Sequence, residues 1–415
     1  MDYQRLTQPA VADEFATCLV AIELSGESWL VGVAAPGSAR PGLHKIAAGA
    51  VDELVRLIDR LRTRHSRVGR PARIVSCYEA GRDGFWLHRV LAEEGVANHV
   101  IDPASIRVDR RSRRAKTDRL DVADLLRVLA AVTRGEPDAC SVVRVPSAAE
   151  EDAKRLHRER ERLIGERVSH VNRIKALLAL HGVVGFQPLR ADRRGRLAEV
   201  RGPRGAALPA GIEREIGREI ARLELIVAQI DDIEAVRDAA LAAKAPSPAR
   251  ARAGATAARP GSRSGTADPA AIDPAADDPA VAKIRMLANL KSIAAQTATV
   301  LTREVFYREF HNRREVAGYV GLASSPFNSG GMMRDQGISK AGNPRARTAM
   351  IELAWLWLRY QSQSALSRWF LERTKDASGR VRRIMIVALA RKLLVALWRY
   401  VETGLVPTGA VLKTA

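Results

Sequence analysis

The first third of the chain alternates short apolar segments with longer amphipathic ones. The runs TCLVAIELS and SWLVGVAAP are apolar and β-prone, and Gly26 and Glu27 separate them. This pattern predicts two strands joined as a hairpin. A helix is predicted over about 49–65, followed by the strand RIVSCYEA, the helix GFWLHRVLAEEG and the strand ANHVID. The order predicts a mixed α/β sheet flanked by helices.

The middle of the chain is charged and has helical periodicity. Residues 147–181 and 210–243 carry long helical patterns, and a polar, Arg-rich segment separates them. Two such helices predict an antiparallel coiled-coil hairpin, which usually serves as a spacer or an oligomerisation arm. Residues 244–280 consist mainly of Ala, Pro, Gly, Arg and Ser. A segment of this composition cannot bury a core and is expected to be a disordered linker.

These changes of pattern divide the chain into five parts. They are an α/β domain over 1–145, the hairpin over 146–243, the linker over 244–280, a mainly helical domain over 281–405 and a tail over 406–415.

The charge of the chain favours a nucleic-acid partner. Lysine and arginine number 67 against 47 for aspartate and glutamate, which gives a formal net charge of +20. A protein this basic attracts polyanions. An anionic membrane surface is the alternative, but the sequence has neither an amphipathic anchor nor a lipidation motif.

The remaining composition points to the cytoplasm. The three cysteines Cys18, Cys77 and Cys140 lie far apart, which disfavours both zinc sites and disulfide frameworks. The N-terminus lacks the apolar core of a signal peptide, and the most apolar late stretch is interrupted by Arg391 and Lys392. A cytoplasmic, nucleoid-associated protein without membrane partners is therefore expected.

Four carboxylates are candidates for a metal site. Asp118 and Asp121 lie three apart on a predicted helix, while Glu23 and Glu79 come at the ends of predicted strands. Such a set suits two magnesium or manganese ions in phosphodiester chemistry, and its carboxyl carbons should then cluster within about 8 Å. Each residue alone has a simpler interpretation, because Thr117 can cap the helix and acidic residues in its first turn complement the helix dipole.

A basic run precedes the aspartate pair and supports its interpretation as part of a metal site for phosphodiester chemistry. Its positions would hold a phosphate backbone beside the metal ions, although a run of charge is otherwise usually a solvated face. The run comprises Arg107, Arg110, Arg111, Arg113, Arg114 and Lys116.

A second motif spans residues 319–350, YVGLASSPFNSGGMMRDQGISKAGNPRARTAM. Asn343 followed by a proline predicts an N-cap and the first position of a helix. Lys340, Arg345 and Arg347 surround that helix start and suit anion binding. Ser329 precedes two glycines that would let the backbone approach a phosphate. A Ser-Gly-Gly sequence alone is usually a surface turn, so the spacing does not show that this serine is a nucleophile.

Three segments together resemble a known family. They are CYEAGRDGFWLHRVLAEEGVANHVIDP, RRAKTDRLDVADLLRVL and REVAGYVGLASSPFNSGGMMRDQGISKAGNPRARTAMIELAW. In this order they resemble the DEDD transposases of the bacterial IS-one-ten insertion-sequence family, the bridge-RNA-guided recombinases. The resemblance covers most of the chain. In that family the first acidic position is normally aspartate, and its helix-hairpin-helix glycines are replaced here by Lys291, Ser292 and Ala294.

The resemblance implies a fold and a reaction. It implies a RuvC-like, RNase H-type domain whose metal ligands fall on Glu23, Glu79, Asp118 and Asp121. It also implies a C-terminal domain whose nucleophile falls on Ser329, in a dimer or tetramer that forms composite sites around a bridge RNA and two DNAs. Ser329 is accordingly expected on a solvent-exposed loop, with the metal site coming from another subunit.

Two other functions fit the residues. The chain could be a RuvC-like structure-specific nuclease in which water attacks and Ser329 is only a turn residue. It could also be a non-catalytic nucleic-acid-binding protein, which would retain the +20 charge.

Overall fold

The computed structural model describes residues 3–4, 16–67, 71–106, 117–136, 139–242, 279–329, 332–338 and 342–413. Over this part the chain divides into two compact units, residues 1–147 and 148–415. Each unit has its own hydrophobic core.

The first unit contains a mixed sheet of seven strands. The strands are β1 (Tyr3–Gln4), β2 (Ala16–Glu23), β3 (Ser28–Ala34), β4 (Gly42–Ala47), β5 (Ala72–Glu79), β6 (Ala97–Ile101) and β7 (Val142–Val143). They lie in the order β1-β7-β6-β5-β2-β3-β4. Strand β2 pairs antiparallel with β3 and parallel with β5, and β5 pairs parallel with β6. The predicted hairpin and mixed sheet are confirmed, while β1, β4 and β7 were not predicted.

Three helices cover the two faces of this sheet. They are α1 (Val51–His65), α2 (Trp86–Glu93) and α3 (Asp118–Thr133). Residues Leu54, Ile58 and Leu61 of α1 pack with the side chains of β2 that include Ile22. On the opposite face, Leu125 and its neighbours in α3 pack with Ala21 and Cys77. The strict alternation of strand side chains therefore gives each face its own apolar layer.

The second unit begins with two long antiparallel helices. Its first helices are α4 (Ala148–Asp152), α5 (Arg155–Ala179), α6 (Arg193–Glu199) and α7 (Ala210–Ala242). Two ion pairs show that α5 and α7 are antiparallel. Arg160 near the start of α5 pairs with Glu234 near the end of α7, and Arg173 near the end of α5 pairs with Glu215 near the start of α7. Buried positions of α7 recur every three or four residues. The helical hairpin is therefore present, and its supercoiling as a coiled coil stays a prediction.

The rest of the second unit is mainly helical, as predicted. Its elements are α8 (Pro279–Ala288), α9 (Ala295–Leu301), a π-helical turn (Thr302–Phe306), α10 (Arg313–Val320), β8 (Ser324–Ser329), β9 (Met332–Ile338), α11 (Pro344–Tyr360), α12 (Ala365–Thr374) and α13 (Gly379–Thr403). Trp357, Phe306 and Phe370 are among its largest fully buried side chains. None of the helices in the described ranges is long and apolar enough to cross a bilayer. The predicted linker lies outside the described residues except for its last two positions, which begin α8.

Candidate metal and serine sites

Glu23 and Glu79 lie side by side at the same edge of the sheet. Strands β2 and β5 run parallel with Ile22 aligned to Tyr78, so each glutamate is the next residue at the carboxyl end of its strand. Neighbouring strands are about 4.8 Å apart. Both glutamates are half-buried, and both line one open cavity of about 370 Å³ together with Arg82. Two carboxylates at one opening form a polar site at the carboxyl ends of parallel strands, where ligand sites in such sheets are commonly found.

The two glutamates belong to the sheet face that α3 covers. Ala21 and Cys77 precede them by two positions and pack against α3. Since side chains alternate between the faces of a strand, residues two apart share a face. Glu79 therefore lies on the same face of the sheet as the helix that carries Asp118 and Asp121, which a shared site requires.

The aspartate pair occupies the first turn of α3. Thr117 caps this helix by accepting a hydrogen bond from the backbone N–H of Leu120 at 3.4 Å. Asp118 is exposed, whereas Asp121 is half-buried with Oδ2 shielded from solvent. Both carboxylates therefore also stabilise the positive end of the helix dipole, which is the simpler function that the sequence allows.

Gly32 in β3 determines how closely α3 approaches the sheet. A Cβ atom at this position would lie 2.3 Å from Cγ1 of Val122 and 3.1 Å from Cδ1 of Leu126. Real side chains do not tolerate the first distance, so only glycine permits the observed packing. The absence of a side chain at Gly32 lets α3 pack close to the sheet, and this packing determines the distance between the aspartate pair and the strands.

The four carboxylates do not form one closed set. Among the described residues, no three His, Cys, Asp or Glu side chains are close enough to hold a single metal ion. Carboxylates repel one another at short range, and a cation between them removes that repulsion. The chemistry of the donors fits magnesium or manganese, because all four are carboxylates. Convergence of all four on one site stays a prediction.

A buried thiol lies beneath the glutamates. Burial raises the pKa of Cys77, and Cys140 and the charge of Glu79 raise it further. Burial also raises the pKa of Cys140 to about 11. Thiolates are the reactive and metal-binding form of cysteine, so the raised pKa values disfavour both roles for these two thiols.

Most of the predicted cationic positions lie outside the described residues. These are Arg107, Arg110, Arg111, Arg113, Arg114 and Lys116 of the basic run, together with Lys340. Their part in nucleic-acid binding stays a prediction.

Ser329 is the last residue of strand β8 rather than part of a loop. It pairs with Met332, the first residue of β9, in a two-stranded antiparallel sheet. Gly330 and Gly331 connect the strands and lie outside the described residues. The expectation of a loop is therefore wrong for the backbone of Ser329, since backbone pairing extends to the residue before the glycines. A strand end next to a two-residue connection still places the serine at the tip of a hairpin.

The predicted helix start at Asn343 is confirmed. Oδ1 of Asn343 accepts a hydrogen bond from the N–H of Ala346 at 3.1 Å, and a proline occupies the first helical position of α11. Gly342 has a φ of 96°, and a Cβ there would lie 2.6 Å from the carbonyl oxygen of Tyr319. Arg345 is ion-paired with Glu161 of α5. Part of its charge is therefore already neutralised by the protein.

Sequence reasoning missed the most connected side chain of this region, Glu304. Its carboxylate is 2% exposed and accepts hydrogen bonds from Nε of Arg158 at 2.7 Å, from Nδ2 of Asn343 at 2.8 Å and, at the same distance, from Nε2 of His157. Burial raises the pKa of Glu304, but the bonds from His157, Arg158 and Asn343 outweigh it and hold the pKa well below its ordinary value. The network joins α5 to the start of α11.

The turn around Lys291, Ser292 and Ala294, where the family has its helix-hairpin-helix glycines, is hydrogen-bonded to the C-terminal residues. The N–H of Lys291 donates to the carbonyl of Val411 at 3.1 Å, and the N–H of Lys413 donates to the carbonyl of Asn289 at 2.7 Å. The ammonium of Lys413 also contacts the carbonyl of Ile293 at 2.9 Å. The C-terminal residues are therefore docked in this turn, and the backbone amide of Lys291 is bonded within the protein.

Comparisons with known proteins identify the family. Residues 43–182 match the DEDD-type IS110 family described as "Transposase", and residues 284–369 match the "Transposase IS116/IS110/IS902 family". The Sinorhizobium fredii protein called "Putative transposase y4rJ" is 47% identical over 408 residues, which is 98% of this chain and 97% of the relative. The Pseudomonas aeruginosa "Probable family 20 transposase" is 25% identical over 79% of this chain and 83% of its own.

The mixed α/β sheet and the helical second unit fit a DEDD-type transposase. The chain belongs to the IS110 family of transposases, as the near full-length relative shows. This confirms the family that the three sequence motifs indicated.

Proposed function

We propose that this transposase cuts and rejoins the DNA of an insertion sequence by metal-assisted serine transesterification, guided by a structured bridge RNA, within a homo-oligomer. The observation that carries the proposal is the placement of Glu23 and Glu79 at adjacent strand ends, on the sheet face where the helix of Asp121 begins. Ser329 at the tip of a hairpin supplies the second component.

Glu23, Glu79, Asp118 and Asp121 would hold magnesium or manganese in this proposal. A divalent ion supplies Lewis acidity, which favours the deprotonated form of a hydroxyl and stabilises negative charge on phosphate oxygens. The protein residues contribute negative charge and orientation. The close contact at Gly32 holds α3 against the sheet, so the height of the aspartates is fixed by packing.

Ser329 would act as the nucleophile. Its Oγ forms a bond to phosphorus while the bond from phosphorus to the leaving oxygen of the DNA strand breaks, and the hydroxyl proton passes to a base. The resulting ester conserves the phosphodiester energy, so the strand can be rejoined without an energy cofactor. Lys340, Arg345 and Arg347 would supply positive charge nearby. The carboxylates of a second subunit would complete the site in a dimer or tetramer.

The proposal is tested by trapping the protein on DNA. Cognate element ends and the bridge RNA are mixed with the protein and magnesium, and the reaction is denatured and examined for a covalent adduct. The wild-type chain and Ser324→Ala should form the adduct, because Ser324 lies at the far end of the same strand. Ser329→Ala should form none, and Asp121→Asn should form none while binding both nucleic acids normally.

Other outcomes identify the alternatives. Strand cleavage without an adduct would favour a RuvC-like nuclease in which water attacks. Binding without cleavage in magnesium or manganese would favour a non-catalytic nucleic-acid-binding protein. An adduct that persists in Ser329→Ala would contradict the assignment of the nucleophile.

A further inference from the structure

The corner between α12 and α13 carries unbalanced positive charge. Residues 365–384 contain six cations against two carboxylates, Glu372 and Asp376. All six cations are exposed, and within the described residues none makes an ion pair or hydrogen bond through its side chain. They are Arg368, Arg373, Lys375, Arg380, Arg382 and Arg383. We call this set the corner cations.

Some exposed arginines of the same unit are ion-paired. On the helical hairpin, Arg162 pairs with Glu166, Arg173 with Glu215 and Arg194 with Glu224. These arginines are exposed as well, so exposure does not by itself prevent pairing. At the corner, six exposed cations lack such a partner among the described residues.

The helix α13 also begins in an unusual way. Its first six residues, 379–384, are all exposed, and the first buried side chain is Ile386. Six residues cover more than one and a half turns, so exposed side chains surround this end of the helix. The exposed end spans about 9 Å along the helix axis, at 1.5 Å per residue.

The charge at this helix start opposes the helix dipole. The first turn contains no acidic residue, and Arg380 and Arg382 occupy positions where positive charge is unfavourable. Ser378 alone caps the helix, accepting from the N–H of Val381. An anion bound here would remove this cost, because it would face both the arginines and the positive end of the dipole. Arg382 and Lys375 line one depression together with Glu372, so two of the cations lie close together beside a single carboxylate.

We propose that the corner cations and the exposed end of α13 bind the phosphate backbone of duplex DNA. DNA is the partner that the transposase family implies, and exposed cations without protein partners are free to neutralise its phosphates. All the corner cations except Arg368 lie beyond residue 369, where the family match ends. The surface is independent of the proposed serine chemistry, since it requires neither Ser329 nor the four carboxylates.

The test is a salt titration of binding to a DNA duplex, followed by fluorescence anisotropy, with Ser329→Ala as the background in every protein. The triple variant R380Q/R382Q/R383Q should lower the slope of log affinity against log salt by about 2 to 3, at ~0.9 for each phosphate that the protein no longer neutralises. The matched control R162Q/R173Q/R194Q removes the same charge from ion-paired positions and should leave the slope within about 1. The variant R380K/R382K/R383K should restore most of the slope.

Equal losses in the two glutamine variants would overturn the proposal, because net charge rather than the corner would then govern binding. So would a loss confined to an RNA duplex probe. All substituted side chains are exposed, and a circular dichroism melt of each variant verifies the fold. If the triple glutamine variant of the corner binds DNA with an unchanged salt slope while wild-type protein forms the Ser329-dependent adduct, the corner is not a DNA-binding surface. The proposed function would be unaffected by that result.

Discussion

The buried carboxylate of Glu304 permits a quantitative test of the second unit. Replacing it with glutamine keeps the shape but removes the charge and one of the two acceptor oxygens. Three side chains donate to this carboxylate, from His157, Arg158 and Asn343, and a glutamine amide presents a single oxygen to them. At least one of the three donors then faces the amide NH₂ group of the glutamine instead of an acceptor oxygen.

The expected loss follows from the burial of the network. Removing one partner of a buried ion pair costs about 3 to 5 kcal/mol. The side chain of Arg158 is 44% exposed, so its guanidinium can rehydrate, and the lower value of about 3 kcal/mol applies. Glu161→Gln is the matched control, because it breaks the Arg345–Glu161 pair between α5 and α11, where both side chains are more than one third exposed. It should cost less than about 1 kcal/mol.

The pH dependence of this loss has a defined sign. The pKa of Glu304 is lowered in the folded state, so its stabilisation is complete above the unfolded pKa of about 4.3 and is lost as the pH falls. The difference in unfolding free energy between the wild-type chain and Glu304→Gln should therefore shrink by about 1.4 kcal/mol per pH unit below ~4. Urea denaturation followed by tryptophan fluorescence at pH 7 and pH 3 measures it. A difference that is unchanged at pH 3, or no larger than that of Glu161→Gln, would refute the reasoning.

Three further predictions concern the first unit. Gly32→Ala should destabilise the first unit by about 1 to 3 kcal/mol in urea denaturation and reduce strand cleavage, because the new Cβ would clash with Val122. The control Gly26→Ala, whose new Cβ would have no contact below 3.5 Å, should change neither stability nor cleavage appreciably. Glu23→Asp, the residue usual in the family, should retain metal-dependent strand cleavage, and Glu23→Gln should abolish it, as measured by denaturing gel electrophoresis of the DNA. Reversing Arg110, Arg111, Arg113 and Arg114 to glutamate should flatten the salt dependence of DNA binding, and an unchanged slope would exclude this run from the interface.

Much of the first unit could be predicted because its signals are local. The apolar runs predict the pairing of β2 with β3, and the predicted strand ends place Glu23 and Glu79 where the parallel strands β2 and β5 end together. The strand β4 was missed since its residues, GLHKIA, are largely exposed and show no apolar alternation. Local periodicity detects a strand only where one face is buried.

The serine motif shows where such reasoning fails. The cap at Asn343 follows from two adjacent residues, so it was predicted and confirmed. The hairpin β8–β9 was not, because Ser324–Ser329 contains serines and a proline that indicate a turn, and backbone pairing with β9 prevails over that preference. The partners of Glu304 lie more than 140 positions away at His157 and Arg158, and no spacing rule connects them.

The same long-range contacts explain why the position of the serine motif depends on the helical hairpin. Glu304 contacts α5 and the side chain of Asn343, while the backbone N–H of Asn343 donates to the carbonyl of Tyr319 at 2.8 Å. Tyr319 and Asn343 flank the β8–β9 hairpin, so both chain ends of the element that carries Ser329 meet at one point next to α5. A change that moves α5 relative to the π-helical turn must therefore either break a buried charge network or move the base of the serine hairpin with it. The helical hairpin and the serine element are therefore linked through Glu304 and Asn343, so residues 319–350 alone do not determine where the serine motif lies.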